Sequence, residues 1–130
     1  MREGTSFILV AAGKGSRLGG SVPKQYAAAA GVPLWTWSAL VAEALSKRAI
    51  VDELVLVVPP EDLEILSKDL PPFRIPVTLA AGGNERSASV MNGLLAARGR
   101  FVLVHDAARP LVSEDLCRKL IEEAREAGGA

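Results

Sequence analysis

Four short, largely apolar segments read as strands along this chain: FILVAA at residues 7–12, ELVLVV at 53–58, IPVTLAA at 75–81 and FVLV at 101–104. A strand with one wet face alternates polar and apolar residues. The unbroken apolar run at residues 7–12 instead marks a strand buried on both faces. Between these runs the apolar residues recur at helical spacing. Leu34, Trp37, Val41, Ala44 and Leu45 form one such stripe behind Pro33, which suits the first turn of a helix. Trp37 is expected in the core and Trp35 at its edge. Pro59 and Pro60 end the second strand, and residues 61–70 predict a short helix. Gly82 and Gly83 end the third strand. Asn84 is then the expected N-cap of a helix whose apolar face carries Val90, Met91, Leu94, Leu95 and Ala97. Ser113 is expected to cap a last helix, with Leu116, Leu120, Ile121 and Ala124, that stops at Gly128 and Gly129. Cys117 on that helix reads as a small core residue.

Strands alternating with helices predict a parallel sheet with right-handed crossovers, a Rossmann-like three-layer α/β/α arrangement. Ligands of such sheets collect at the carboxyl ends of the strands. The first strand runs into a long glycine-rich connection over residues 13–30, in which residues 27–31 read as a short extended stretch. A connection of that length in a compact domain is usually functional or flexible. The third strand ends at Gly82-Gly83-Asn84 and the fourth at His105-Asp106. All three polar clusters are therefore expected on one edge of the sheet.

The first cluster, AAGKGSRLGGSVPKQY from Ala11, joins glycines to two cations, Arg17 and Lys24. Backbone amides at a glycine turn can approach an anion, and the cations neutralise charge that amides cannot, so the segment reads as a phosphate cradle. It is neither a Walker A loop, which needs Gly-Lys-Ser/Thr, nor the Gly-x-Gly-x-x-Gly dinucleotide fingerprint, because Leu18 stands where the third glycine belongs. That departure, with the cation pair, argues against a dehydrogenase. In the second cluster, Gly82 and Gly83 would let a flat base lie on the backbone while Asn84 and Ser89 reach its edge; ordinary capping by Asn84 is the plainer account. In the third, Asp106 at a strand end suits a Mg²⁺ ion shared with phosphate oxygens. His105 points to the other face and reads as structural. Arg109 either holds Asp106 or lies on the surface.

Composition narrows the classes. The chain has 130 residues with 49% hydrophobic, enough for one globular domain over residues 1–130. Lys plus Arg balance Asp plus Glu at 15 each, which disfavours a nucleic-acid binder. No apolar run is long enough to span a membrane, and MREGTS leads into the first strand without a signal-peptide apolar region. Cys117 is the only cysteine, so no internal disulfide can form. These features lead to the expectation of a cytoplasmic protein.

AAGKGSRLG with PKQY, GGNERSASVMNGL and VHDAARP, in this order, resemble the motifs of the 2-C-methyl-D-erythritol 4-phosphate cytidylyltransferase family, nucleotidyltransferases of glycosyltransferase-A-like fold. Ribitol-5-phosphate cytidylyltransferases share the layout, but Ala108 in the third motif is closer to the erythritol enzymes. The resemblance implies CTP and a polyol phosphate as substrates, Mg²⁺ or another divalent metal as cofactor, and a homodimer of the full-length protein. It implies that Arg17 and Lys24 stabilise the transition state at the α-phosphate. It places Ala11, Ala12, Gly13 and Gly15 along the nucleotide, Gly82, Gly83, Asn84 and Ser89 at cytosine, and Asp106 on the metal. Asn84 departs from the aspartate of some members. Family members are much longer, so the chain is expected to be the nucleotide-binding part, with the C-terminal part of the family domain absent. The alternative of another class is a nucleotide-binding domain without catalysis.

Overall fold

A computed structural model describes residues 4–11, 17–18, 22–23, 28–29, 32–69, 73–106 and 113–127. Its centre is a four-stranded, wholly parallel sheet of β1 (Thr5–Val10), β6 (Glu53–Val58), β7 (Val77–Ala81) and β8 (Phe101–Asp106), in the spatial order β7-β6-β1-β8. Among the described residues between β1 and the first helix are four short strands: β2 (Arg17–Leu18) pairs antiparallel with β3 (Val22–Pro23), and β4 (Ala28–Ala29) with β5 (Val32–Pro33). The helices are α1 (Leu34–Lys47), α2 (Leu63–Asp69), α3 (Arg86–Ala96) and α4 (Glu114–Glu126).

The central strands are those with the unbroken apolar runs. Every residue of β1 and β6 is buried, while β7 and β8 at the two sides are only partly covered. Alternation within each strand divides the core in two. Phe7, Leu9, Leu54, Leu56 and Val58 face a cluster with Ala39, Ala42 and Leu45 of α1 and Cys117 and Ile121 of α4. Ile8, Val10, Val55 and Val57 face the opposite side, where Val90, Ala96 and Ala97 pack from α3 and its C-terminal end. The result is the expected three-layer α/β/α sandwich.

Several boundaries move, each for a visible reason. β1 begins at Thr5 because Thr5 and Ser6, polar in type, are fully buried with their groups bonded. β7 begins at Val77, after Pro76, whose carbonyl accepts the Leu54 N–H at 2.9 Å although proline has no N–H to give to the ladder. β8 continues through His105 and Asp106, which pair with Leu9 and Val10. Asn84 is not the N-cap of α3. That position belongs to Glu85, in extended conformation with no side-chain cap bond. Ser113 does cap α4, its Oγ accepting the Leu116 N–H at 3.0 Å.

The helix faces also differ from the expectation. On α3 the buried residues are Ser89 and Gly93, while Met91, Leu94 and Leu95 are exposed. Gly93 explains this. A Cβ there would meet Ile8 Cγ2 at 2.7 Å and Val57 Cγ2 at 3.0 Å, so the helix sits on the sheet through its small residues and turns its bulky ones outward. On α4 the inward pair is Cys117 and Ile121, four residues apart, and Leu116 and Leu120 lie outside. Cys117 is the small core residue its sequence context suggested. The side chains of Trp35 and Trp37 lie outside the described residues.

Candidate nucleotide site at the carboxyl edge

Strand order reverses beside β1. The chain moves outward from β1 to β6 and β7, then returns past both to place β8 on the other side. At such a reversal the connections leaving the two neighbouring strands diverge and open a crevice at the carboxyl edge. The glycine-rich segment leaves β1 at this point. Ala11, 1% exposed, extends the sheet by one residue, its N–H reaching Val57 O at 2.7 Å.

The antiparallel β2–β3 pair sets the backbone of one expected cation, Arg17, in a ladder. Arg17 is the pairing partner of Pro23, the residue before Lys24. Directly opposed residues in such a ladder have Cα atoms roughly 4.5–5.5 Å apart. Ala12, Gly13, Gly15 and Lys24, with the side chain of Arg17, lie outside the described residues.

The β7–α3 turn is built from bonds to both neighbouring elements. Gly82 is buried and its N–H donates to Val58 O at 2.7 Å, carrying the ladder one step past β7. The Gly83 N–H donates to Ser89 Oγ at 3.0 Å. Ser89 is 2% exposed, so its hydroxyl oxygen serves the turn directly. Asn92 Nδ2 donates to Ala81 O at 2.8 Å. Asn84 is exposed at the tip. The sequence reading passed over Asn92 because the stretch around it reads as an apolar stripe. Its three-residue spacing from Ser89, which sets both on one helix face, was the available signal.

At the other side of the edge, the register separates His105 from Asp106. Leu9 pairs with His105 and faces α1 and α4, whereas Val10 pairs with Asp106 and faces α3. Asp106 therefore shares the α3 side of the sheet with the Gly82–Ser89 turn. Three strand spacings separate β7 from β8, about 14 Å. Burial lowers the pKa of His105, and the neighbouring Asp106 carboxylate opposes that shift without overcoming it, which favours the neutral imidazole. Its Nε2 is buried and has no hydrogen-bond partner among the described residues. No group of three His, Cys, Asp or Glu side chains that could hold a metal exists among the described residues. Asp106 alone suits an ion that draws its remaining ligands from water and phosphate. Arg109 lies outside the described residues.

A parallel three-layer sheet whose polar turns gather where strand order reverses defines an α/β protein of the class that takes its ligand at the carboxyl edge. Within that class the chain belongs to the IspD family, 2-C-methyl-D-erythritol 4-phosphate cytidylyltransferase, whose model matches residues 5–130. It is 38% identical over 127 residues to a chloroplastic 2-C-methyl-D-erythritol 4-phosphate cytidylyltransferase of Oryza sativa subsp. japonica, covering 96% of this chain and 42% of that protein. It is 37% identical over 128 residues to the enzyme of that name in Clostridium botulinum, covering 96% of this chain and 56% of the other. Among solved structures, 4-diphosphocytidyl-2C-methyl-D-erythritol synthase of Anaerococcus prevotii superposes with a TM-score of 0.76 at 25% identity, over 95% of this chain and 52% of that one. The chain spans about half the length of the curated relatives it matches. No helix among the described residues is long and apolar enough to cross a membrane.

Proposed function

We propose that this chain is the nucleotide-binding part of a cytidylyltransferase that transfers CMP from CTP to 2-C-methyl-D-erythritol 4-phosphate and releases pyrophosphate. One observation carries the reading: a family match from residue 5 to residue 130 takes in the turns after β1, β7 and β8 together. In this reading Ala11, Ala12, Gly13 and Gly15 line the nucleotide, and Gly82, Gly83, Asn84 and Ser89 form its cytosine end, with Gly82 and Ser89 holding the turn that Gly83 and Asn84 present to the base. Arg17 and Lys24 neutralise charge at the α-phosphate. The separation of about 14 Å between the β7 and β8 ends suits an extended nucleotide, base at one end and phosphates at the other.

The chemistry needs little from a base. An acceptor phosphate oxygen is already ionised at neutral pH and attacks the α-phosphorus in line with the departing pyrophosphate. Catalysis is then positioning and charge neutralisation. Asp106 would hold Mg²⁺, which when bound supplies positive charge to the phosphate oxygens. The enzyme is proposed to work as a homodimer in the cytoplasm.

The test is pyrophosphate release by the longest natural form of the protein, with CTP and a panel of acceptor phosphates that includes ribitol 5-phosphate. Turnover with 2-C-methyl-D-erythritol 4-phosphate is expected. Arg17→Ala and Lys24→Ala are each expected to lower kcat about 10²–10³-fold, the usual cost of one preorganised transition-state donor. CTP binding without pyrophosphate release with any acceptor would favour a non-catalytic nucleotide domain. Near-normal turnover in both variants would remove the two cations from the mechanism.

A further inference from the structure

Two adjacent glycines give the β7–α3 turn a good deal of backbone freedom to lose. A turn that reads a ligand must nevertheless present its groups in one arrangement, because a loosely held site loses affinity in ordering itself. Three consecutive backbone groups here are tied from outside the turn. The Ala81 carbonyl accepts Asn92 Nδ2 at 2.8 Å, the Gly82 N–H goes to Val58 O at 2.7 Å, and the Gly83 N–H goes to Ser89 Oγ at 3.0 Å. Gly83 also lies tightly over the helix start, where a Cβ would come within 2.4 Å of Ala88 Cβ. One anchor thus comes from the sheet and two from α3.

Asn92 is the anchor without another evident task. It is a poor helix former in the interior of α3, partly exposed, and its carboxamide reaches back eleven residues along the chain to the last residue of β7. Ala81 O can only accept, so the carboxamide must present its NH₂ group there; neither a carboxylate nor a hydrocarbon could replace it. We propose that Asn92 is a positioning residue of this pocket, fixing the β7–α3 turn so that Gly83 and Asn84 meet a pyrimidine base in a single geometry. The proposal rests on the reading that this turn faces the base of CTP. Because the turn lies across the sheet from Asp106, the effect falls on nucleotide affinity and base discrimination rather than on the chemical step.

The experiment compares the wild-type chain with Asn92→Leu, which has similar bulk and no donor, and Asn92→Gln, which keeps one. CTP and UTP dissociation constants are measured by calorimetry, with hydrogen exchange at Gly82 and Gly83 and the melting temperature alongside. The wild type is expected to prefer CTP. Asn92→Leu is expected to weaken CTP binding about tenfold, the size of effect one lost hydrogen bond gives, and to bring the CTP/UTP ratio towards one. Faster exchange at Gly83 should accompany this, and Asn92→Gln should recover part of the affinity. A merely structural role would lower the melting temperature and leave the ratio unchanged. Should Asn92→Leu not fold, Asn92→Ala supplies the same comparison. If the wild type binds CTP selectively and the variant does so within about twofold, the positioning role is refuted while the pocket stands. If the wild type binds neither nucleotide, the pocket reading falls and takes the proposal with it.

Discussion

Replacing Gly93 by alanine sets two well-known effects against each other. In an isolated helix the change is favourable by about 1 kcal/mol, because glycine has more backbone entropy to lose. Here the added methyl would lie 2.7 Å from Ile8 Cγ2 and 3.0 Å from Val57 Cγ2. Both partners are wholly buried, on the two central strands, and both are β-branched. Their side chains have little rotamer freedom with which to retreat. The helix must then lift off the sheet by some tenths of an ångström, loosening its packing on Val10 and Val55 as well. Overpacking of this kind costs about 1–3 kcal/mol. Two stiff partners at or under 3.0 Å put the penalty in the upper half of that range, about 2–3 kcal/mol, and subtracting the helix gain of about 1 kcal/mol leaves a net loss of about 1–2 kcal/mol. At roughly 3–4 °C per kcal/mol for a domain of this size, the melting temperature should fall by about 3–8 °C. Differential scanning calorimetry of wild type, Gly93→Ala and the control Ser87→Ala, an exposed site on the same helix, makes the comparison. The control should be neutral or slightly stabilised. A melting temperature for Gly93→Ala at or above that of the wild type would show that α3 does not seat through this glycine, and the argument for its outward-facing leucines would go with it.

Two further outcomes follow from buried groups. Glu53, 8% exposed at the amino edge of β6, accepts from Ser6 Oγ and from the Arg98 N–H, each at 2.5 Å, and so ties β1, β6 and the lead into β8 together. Glu53→Ala should cost about 2–3 kcal/mol in urea unfolding, since it strands two donors, and Glu53→Gln distinctly less; equal losses in the two variants would mean that packing, not acceptance, is at stake. Cys117 is 2% exposed, and burial raises its thiol above the ordinary value of 9.0. A neutral thiol favoured by the fold adds stability that is whole below that value and is lost as pH climbs from it through the raised folded value, because the unfolded chain releases its proton first. Labelling by a thiol reagent at pH 8 should accordingly be slow in the native protein and fast in denaturant; equal rates would place the side chain outside the core.

Much of this molecule could be read without coordinates. The unbroken apolar run at residues 7–12 requires a strand with two covered faces, and alternation of strand and helix makes the sheet parallel with helices on its faces. Parallel strands all end on the same edge, so the turns after β1, β7 and β8 had to share it. The opposed directions of His105 and Asp106 follow from the period of two along a strand. What the sequence could not fix was anything set by distance across the fold. The inner face of α3 was misread because hydrophobicity favoured Met91, Leu94 and Leu95, whereas Gly93 against Ile8 and Val57 decides which side can approach. Thr5 and Ser6 looked like a polar lead-in and proved to be buried strand, since their partners Asp52, Glu53, Gly99 and Arg125 are remote in sequence. Asn84 looked like a cap by residue type, yet the turn is held by Ser89 and Asn92 from within the helix. Periodicity reports which faces must be hidden; only the close approach of distant segments decides which residues meet.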